Sequence, residues 1–458
     1  MTGKFIPKMG RKYQTGFLSV LIPLALMSVV VFNADEFRRA GRNIYLYYHP
    51  RRSSAAQSNS VYGGNDKPVA HVKRLLAKEE ITDTAKYSSQ DMNTAINGVT
   101  YNENRVLYKF YKATQDPSYD CVIRILKYRR PKAEEVYLNN DEWMRSKCEG
   151  MPCSVETRYS LNMKDFWDSD VVVIMPGNEG NFEWKYLLRS RPPGQLWALY
   201  SRESPVHEPQ FTPPSSLFKG NPYNLSMTYR SGSDVDLSYG HFVRDSPSNV
   251  KGGTKSRLMM WMASRCEPLG WERTKFVHNL QEHLDVHIYG KCGTFECPKH
   301  DWDNCLIEMQ KYKFYLSLEN SECSEYITEK FWSNAFATGM VPIVFGARKE
   351  DYVRTAPPHS FIHLNDFSTM EEFVEYINLL DRNETLYNKY FEWKKFGRTY
   401  MGTGFRTALN SQNLCNLTKK LVEITLYPEN SWRGRTPDFG KWWNPTCEHQ
   451  TELLGVNI

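Results

Sequence analysis

The feature that most constrains the fold is a regular alternation of short apolar runs with helix-length segments in the second half of the chain. Four runs of strand length, LMMWMA, DVHIYG, FYLSLE and VPIVFG, follow one another between residues 258 and 346. Each run is largely continuous in its apolar character, which is typical of parallel strands covered on both faces. Strands that alternate with helices predict a doubly wound α/β sheet.

An earlier part of the chain carries a second set of strand-length runs. CVIRILKY, DVVVIMP and QLWALYS begin at Cys121, Asp170 and Gln195. A glycine- and lysine-rich linker, KGGTK at 251–255, separates the two sets. Two α/β sets joined by a linker predict two Rossmann-like lobes that face a cleft, at 118–250 and 251–425, followed by a C-terminal extension at 426–458.

Helix boundaries can be predicted at three places in the second set. Apolar residues recur every fourth position from Phe276 to Leu284, which predicts an amphipathic helix in WERTKFVHNLQEHL. Another helix is predicted from about 329 to 338, with Thr328 as N-cap and Gly339 as the C′ residue. The capping-box sequence STME at 368–371 predicts the start of a third.

The N-terminus contains 22 uncharged residues from Tyr13 to Ala34. At about 1.5 Å per residue, a helix of this length spans a bilayer core of roughly 30 Å. Basic residues precede it, and this bias keeps 1–12 in the cytoplasm and sends the rest of the chain across. A cleaved signal peptide is the alternative, but no small-x-small cleavage site follows the stretch. We therefore expect a single-pass type II anchor at 13–34.

The chain beyond the predicted anchor has features of the secretory lumen. Residues 35–117 are polar and poor in apolar runs, which predicts a flexible or weakly structured stem. All 10 cysteines lie beyond the anchor, an even number suited to disulfides. Acceptor sequons for N-glycosylation begin at Asn224, Asn383 and Asn416.

The charge of the chain bears on its partners. A net charge of +6 is mild for 458 residues, and no long basic run lies beside aromatic residues. The composition therefore argues against a surface that binds nucleic acid.

One predicted helix entrance combines groups suited to a nucleotide sugar. In SECSEYITEKFWSNAFATG (321–339), the helix N-terminus favours phosphate, and Lys330 adds a full positive charge. Tyr326 and Asn320 can donate hydrogen bonds, whereas the Glu329 carboxylate suits the hydroxyl pair of a ribose. Ordinary capping is the alternative, since a glutamate in a first turn stabilises a helix by about 0.3–1 kcal/mol.

The same stretch carries a family resemblance. KFYLSLENSECSEYITEKFWSNAFATGMVPIVFGA (Lys313 to Ala347) resembles the signature of the α1,3-fucosyltransferases, an F-E-N-S segment followed by Y-x-T-E-K and V-P-V-V-x-G. Five other segments also follow the family in order: GQLWALYSRESPVH, LSMTYRSGSDVDLSYG, ASRCEPLGWERTKFV, PPHSFIHLNDF and YNKYFEWKK. The resemblance covers roughly 120 to 400, and YGKCGTFECPKHDWDNC is similar to invertebrate members that modify N-glycans.

The resemblance implies a GT-B type fold, GDP-β-L-fucose as donor substrate and an inverting transfer. Carried over position by position, it implies a donor site of Arg273, Tyr315, Asn320, Tyr326, Glu329 and Lys330, with Tyr229 and Ser264 as secondary members. Arg273 and Lys330 would stabilise the charge that develops on departing GDP. Glu203 of RESP matches the family's proposed general base, and it follows a strand at the edge where α/β proteins hold ligands.

Some positions depart from the family pattern. Arg265 stands where the family commonly has asparagine, and RSGSD at 230–234 replaces RRDSD. Leu318 replaces the phenylalanine of F-E-N-S. Three residues before Cys415, glutamine replaces a cysteine that relatives often carry, so Cys415 is expected to pair elsewhere, with Cys447 as a candidate.

Metal binding is a weaker prediction. The triplets DVD at 234–236 and DWD at 301–303 resemble the aspartate pair that holds manganese in other glycosyltransferases, but short D-x-D triplets arise often by chance. We expect no required cofactor and no catalytic metal, with a divalent cation at most stimulatory. Four cysteines could bind zinc, although lumenal placement favours disulfides: Cys292, Cys297, Cys305 and Cys323.

These observations predict a Golgi enzyme that moves L-fucose to O3 of a GlcNAc in a glycoprotein glycan. The acceptor is expected to be an N-glycan, either at its innermost GlcNAc or in an outer antenna. A catalytically inactive Golgi protein that binds glycan or nucleotide sugar is the alternative. The presence of Glu203, Arg273, Glu329 and Lys330 together argues against that alternative.

Overall fold

A computed structural model describes residues 100–129, 142–175, 183–244, 255–268, 270–298, 301–402, 411–426 and 436–458. The predicted cytoplasmic tail, the anchor at 13–34 and most of the predicted stem lie outside these ranges. Within them, every helix is too short or too polar to cross a bilayer.

A seven-stranded sheet forms the first lobe. Its strands are β1 (Val122–Tyr128), β2 (Met144–Lys147), β3 (Ser154–Tyr159), β4 (Val171–Ile174), β5 (Leu196–Ser201), β6 (Leu225–Thr228) and β7 (Val235–Asp236). Their order is β2-β3-β1-β4-β5-β6-β7, and only the edge pair β2–β3 is antiparallel. Every residue of β4 and β5 is buried, as expected for central strands covered on both faces.

A five-stranded sheet forms the second lobe. Two strands, β8 (Gly240–Val243) and β9 (Arg257–Met262), lie on either side of the predicted linker. In chain order, β9 is the first strand of this sheet. It continues with β10 (Val286–Tyr289), β11 (Tyr312–Leu318), β13 (Val341–Phe345) and β14 (Ile362–His363), in the order β10-β9-β11-β13-β14. All neighbours in it run parallel. Each of the seven predicted apolar runs forms a strand, so the two-sheet prediction is confirmed.

Short antiparallel pairs complete the strands. They are β12 (Glu322–Cys323) with β16 (Cys447–Glu448), β15 (Arg398–Met401) with β8, and β17 (Glu452–Leu453) with β18 (Val456–Asn457). The β15–β8 pair joins a late segment of the chain to the end of the first lobe.

Helices surround the sheets. They are α1 (Arg105–Gln115), α2 (Met163–Asp168), α3 (Trp184–Ser190), α4 (Arg273–Gln281), α5 (Trp302–Met309), α6 (Lys349–Thr355), α7 (Met370–Arg382), α8 (Glu384–Lys389), α9 (Ser411–Leu426) and α10 (Phe439–Trp443). A π-helix covers Lys330–Phe336, and short 3-10 turns cover Pro209–Phe211, Leu364–Asp366, Glu392–Lys395 and Asn444–Thr446.

Two predicted helix boundaries shift in the structure. The predicted helix from 329 to 338 is a π-helix over most of its length, and Gly339 follows its end in the left-handed region at φ 72°. The N-cap of α7 is Thr369, whose hydroxyl accepts from the amide of Glu372. The carboxylate of Glu372 accepts from the amide of Ser368, so the capping interactions lie one residue later than predicted.

Two helices lie in lobes where the sequence did not place them. Helix α1 falls within the predicted stem, yet Val106, Leu107 and Phe110 are buried in the core of the first lobe. Helix α9 follows the second lobe in sequence, but Leu417 and Leu421 belong to that same first core. The boundaries at 117 and 425 are therefore wrong for these two helices, because their apolar faces complete the first lobe.

Five disulfides use all the cysteines: Cys121–Cys153, Cys148–Cys415, Cys266–Cys292, Cys297–Cys305 and Cys323–Cys447. The candidate pair Cys415–Cys447 is wrong, since Cys415 holds α9 to the first lobe through Cys148. The zinc alternative is wrong as well, because each of its four thiols is in a disulfide.

Candidate active site

The predicted base lies at the carboxyl end of β5 in the first lobe. The hydroxyl of Ser201 accepts from the amide of Glu203 at 3.1 Å and donates to its carbonyl at 3.0 Å, which fixes the backbone there. The register of β5 with β6 places Ser201 opposite Thr228, so the loops that leave the two strands begin side by side. This is the edge of an α/β sheet where ligands bind.

The Glu203 carboxylate meets a hydroxyl from the second lobe. Tyr326 donates to Oε2 of Glu203 at 2.7 Å, and the tyrosine side chain is 1% exposed. In the part of the chain that the structure describes, Oε1 of Glu203 has no hydrogen-bond partner. Beside this contact, Ser321 donates to the hydroxyl of Ser204 at 2.7 Å, and the contact is buried.

The predicted donor lysine, Lys330, forms a partly buried ion pair. Its ammonium contacts Glu319 at 2.9 Å, the hydroxyl of Thr328 at 2.9 Å and Glu329 at 3.3 Å. Glu319 is fully buried, whereas the side chain of Glu329 is 50% exposed. Burial acts to lower the pKa of Lys330, but the attraction of Glu319 and Glu329 outweighs it and raises that pKa. The ammonium is therefore charged at neutral pH.

Glu319 also organises the helix entrance, and sequence reasoning missed it. Its carboxylate accepts from the amide of Thr328 at 2.8 Å and from the hydroxyl of that residue. The hydroxyl of Thr328 thus donates to the Glu319 carboxylate. The distance from this hydroxyl to the amide of Lys330 is 3.5 Å, which is too long for an effective N-cap. The available signal was the acid that ends the predicted strand FYLSLE, at the ligand-binding edge of the sheet.

Arg273 begins α4 and is 5% exposed. Its guanidinium donates to the carbonyl of Arg265 at 3.0 Å and to that of Leu318 at 3.4 Å. Its Nε is buried without a partner among the described residues. Burial lowers the pKa of Arg273, and Glu319 opposes that fall, so a cation is held beside the Glu319–Lys330 pair.

A histidine that sequence reasoning did not single out lies next to the base. Burial lowers the pKa of His207 and the charge of Arg265 adds to this, while the charge of Glu203 and the neighbouring Asn320 oppose it. Oδ1 of Asn320 is buried without a partner among the described residues. His207 and Asn320 thus lie together at the junction of the two lobes.

The other predicted donor residues have different surroundings. Tyr315 is fully buried, and its hydroxyl accepts from Asn334 at 2.9 Å. Tyr229 packs edge-on against Tyr326 with ring centroids 5.1 Å apart. Ser264 is exposed just beyond the end of β9. The structure therefore brings Tyr326 into contact with Glu203, and it groups Lys330, Glu329 and Arg273 with Glu319.

The aspartate triplets take part in local turns. Asp234 accepts from the amide and hydroxyl of Ser226, and Asp236 accepts from the amide of Ser238. Asp301 accepts from the side chain of Asn304. Within the described ranges, no group of three or more His, Cys, Asp or Glu side chains is arranged to hold a metal ion.

The three sequons differ in setting. Asn416 is exposed on α9, while Asn383 caps α8 by accepting from the amide of Leu386 at 3.0 Å. Asn224 is partly buried, and its carbonyl oxygen accepts from Trp197 and Arg191. Their glycosylation stays a prediction.

Two family models match the chain in succession. Residues 122–240 match a model described as "Fucosyltransferase, N-terminal". Residues 253–430 match a model described as "Glycosyltransferase family 10 (fucosyltransferase) C-term". The two matches cover most of the two lobes.

Curated proteins are also similar to this chain. The chain is 34% identical over 257 residues to glycoprotein 3-alpha-L-fucosyltransferase A of Drosophila melanogaster, covering 54% of this chain and 47% of that protein. It is 34% identical over 252 residues to alpha-(1,3)-fucosyltransferase 4 of Bos taurus, covering 53% of this chain and 58% of that protein. The chain thus spans about half the length of these relatives.

A crystal structure of an alpha1,3-fucosyltransferase also aligns with the chain. It is 16% identical, with a TM-score of 0.42 over 68% of this chain and 92% of that chain. That superposition is too weak to support a structural inference.

Proposed function

Because the chain belongs to glycosyltransferase family 10, the fucosyltransferases, we propose that it transfers L-fucose from GDP-β-L-fucose to O3 of a GlcNAc in glycoprotein glycans. One observation carries the proposal: Tyr326 of the second lobe bonds to the Glu203 carboxylate of the first lobe, and two cations of the second lobe, Arg273 and Lys330, lie around Glu319. An inverting transfer needs a base at the acceptor and positive charge at the leaving group. Two α/β lobes around such a site suit a GT-B type enzyme.

The proposed reaction follows from these positions. Glu203 takes the proton of the acceptor O3 hydroxyl as O3 attacks C1 of fucose. The bond from C1 to the β-phosphate oxygen breaks, and its electron pair leaves with GDP. Attack from the face opposite the phosphate turns the β-linked donor into an α-linked product. Arg273 and Lys330 stabilise the charge on the departing diphosphate.

The contacts of Lys330 suggest how the donor enters. All three N–H groups of its ammonium have partners, and the contact to Glu329 is the longest, at 3.3 Å. Since Glu329 is half exposed, a diphosphate oxygen can take its place on the ammonium. The freed carboxylate is then available to a ribose hydroxyl. In this scheme Lys330 binds phosphate and Glu329 binds sugar.

The cellular setting is proposed from the sequence. The uncharged stretch at 13–34 and the lumenal features beyond it support a single-pass type II protein of the Golgi membrane. An N-glycan is the proposed acceptor, through either its innermost GlcNAc or an antennal one.

A transfer assay tests the function. Full-length protein in detergent is given radiolabelled GDP-fucose with two N-glycan acceptors, one with only the core GlcNAc available and one with only antennal GlcNAc. We expect labelled α1,3-linked product from one of them and none from the Glu203→Gln variant. Folded wild-type protein that binds GDP but labels neither acceptor would instead support the inactive glycan- or nucleotide-binding protein.

A further inference from the structure

The C-terminal segment 436–458, named here the strap, contacts both lobes. Its first half packs on the first lobe, where Phe439 and Trp443 are fully buried in a core with residues of that lobe. Its second half packs on the second lobe, where Leu453 and Leu454 join the core of the five-stranded sheet. The amide of Met370, at the start of α7, donates to the carbonyl of Leu454 at 3.1 Å.

Between these two anchors, the strap is joined covalently to the loop that leads into the π-helix. Cys447 of the strap forms a disulfide with Cys323, and the two residues are also paired in β12 and β16. The amide of Ser324 donates to the carbonyl of Thr446 at 2.7 Å. The carboxylate of Glu322 accepts from the amide of Gln450, 3.2 Å away. The loop is therefore fixed at three successive residues, 322 to 324.

Tyr326 follows this fixed segment, and its side chain contacts the Glu203 carboxylate. Its ring lies 5.1 Å from Tyr229, whose own ring lies 6.3 Å from Trp443 of the strap. Its hydroxyl donates to Oε2 of Glu203 at 2.7 Å. The resemblance placed Tyr326 on the donor, but the tyrosine is 1% exposed and its hydroxyl is already bonded to the base.

We propose that Tyr326 is a positioning residue for Glu203, and that the strap holds Tyr326 in place. The inference rests on the proposed role of Glu203 as general base. A hydrogen bond to Oε2 fixes the carboxylate plane, so that the unpaired Oε1 can meet the acceptor hydroxyl. It also stabilises the ionised form of Glu203, the form that accepts a proton. Tyr326 thereby links the lobe that binds the donor to the base that activates the acceptor.

The Tyr326→Phe variant tests the hydrogen bond, because it keeps the ring and removes only the hydroxyl. We expect turnover to fall about 10- to 100-fold, the usual effect of losing a hydrogen bond to a charged group. The acid limb of the profile of kcat/KM against pH should move to higher pH, since the ionised carboxylate loses a donor. The Kd for GDP should not change. A weakened Kd for GDP with an unmoved acid limb would overturn the proposal and return Tyr326 to the donor site.

The strap is tested by removing its disulfide. The double variant Cys323→Ser/Cys447→Ser should lower turnover and move the same acid limb. Adding it to Tyr326→Phe should have little further effect, because both act through one hydrogen bond. The matched control is Cys297→Ser/Cys305→Ser, which removes the disulfide that ends on α5 of the second lobe. This control should leave the pH profile unchanged. Equal pH profiles in the two double variants would overturn the role of the strap.

Further outcomes distinguish a failure of the positioning role of Tyr326 from a failure of the proposed role of Glu203. If the Cys323/Cys447 variant fails to fold, Tyr326→Phe still decides whether the tyrosine positions the base. If Glu203→Gln retains wild-type turnover, the proposed function of Glu203 is wrong. If Glu203→Gln is inactive and Tyr326→Phe has wild-type kinetics at every pH, only the positioning role is wrong.

Discussion

The two sides of the candidate site are built from different kinds of contact. On the first lobe, Glu203 is a single, partly exposed carboxylate whose side-chain partner is the neutral hydroxyl of Tyr326. On the second lobe, Glu319, Lys330 and Arg273 form a charged cluster in which Glu319 and Arg273 are buried and Lys330 is partly buried. The first side thus rests on a neutral hydrogen bond, whereas the second rests on contact between groups of opposite charge.

This difference matches the tasks proposed for the two lobes. A general base must gain and lose a proton in each turnover, so a neutral hydrogen-bond donor suits it better than a contacting opposite charge. A diphosphate site needs positive charge that does not reorganise as the leaving group departs. The Glu319–Lys330 ion pair fixes the ammonium, and removing one member of a buried pair is strongly destabilising. Variants on each side should therefore fail in different ways.

The largest expected effect is on the first lobe. Glu203→Gln keeps the size of the side chain but removes the base, so turnover should fall about 10²- to 10⁴-fold. Binding of GDP, measured by calorimetry, should match wild type because the charged cluster is intact. Unchanged turnover would remove Glu203 from the mechanism and would end the proposed division of labour between the lobes.

The second effect is on the cation side. Lys330→Ala removes the cation that pairs with Glu319 and with the bound diphosphate. The affinity for GDP should therefore fall roughly 10- to 100-fold, as expected for a lost hydrogen bond to a charged group. Acceptor affinity should change little. The matched control is Lys313→Ala, since Lys313 also forms an ion pair on the second lobe, with Asp381 at 2.7 Å. Wild-type GDP affinity in a folded Lys330→Ala protein would contradict the diphosphate role.

Local pattern was sufficient to predict the strands of the two sheets. Runs such as VPIVFG, buried at every position of β13, are apolar because both faces of the strand are covered. Ligand sites lie at the carboxyl edges of parallel strands, but it was the family resemblance that singled out Glu203 after QLWALYS.

Long-range pairing could not be predicted in the same way. Helix α9 reads as the end of the second lobe, and only its burial against the first core and the Cys148–Cys415 disulfide reveal its place. The pairing of Glu319 with Lys330, 11 positions apart, depends on the turn between them. The bond from Tyr326 to Glu203 spans 123 positions and the lobe junction, which no local pattern records.

A smaller effect is expected on the pH dependence of stability, to which one buried histidine in each lobe contributes. Burial lowers the pKa of His207 in the first lobe and of His363 in the second. In the unfolded chain both histidines take a proton near pH 6.5. The unfolded state therefore binds more protons than the folded state once the pH falls below about 7. The free energy of unfolding should thus be highest above that pH. It should decrease as the pH drops from about 6.5 towards the lowered folded-state values.

Urea unfolding at pH 7.5 and pH 5 measures this loss. His207→Gln and His363→Gln should each reduce the difference between the two pH values, by about 1.4 kcal/mol for each unit by which folding lowers that histidine's pKa. The exposed His283 supplies the control, His283→Gln. A pH dependence that neither buried-site variant alters would show that other groups determine acid stability.

The smallest expected effect is that of removing divalent metal. If Arg273 and Lys330 supply the positive charge for the leaving diphosphate, transfer should continue in EDTA with at most a modest decrease. The DVD aspartates are already bonded to Ser226 and Ser238, so metal binding there would have to break those contacts. Complete loss of transfer in EDTA, restored by manganese and abolished by Asp234→Asn, would place a metal at the leaving group. The charged cluster of the second lobe would then serve mainly to build the helix entrance.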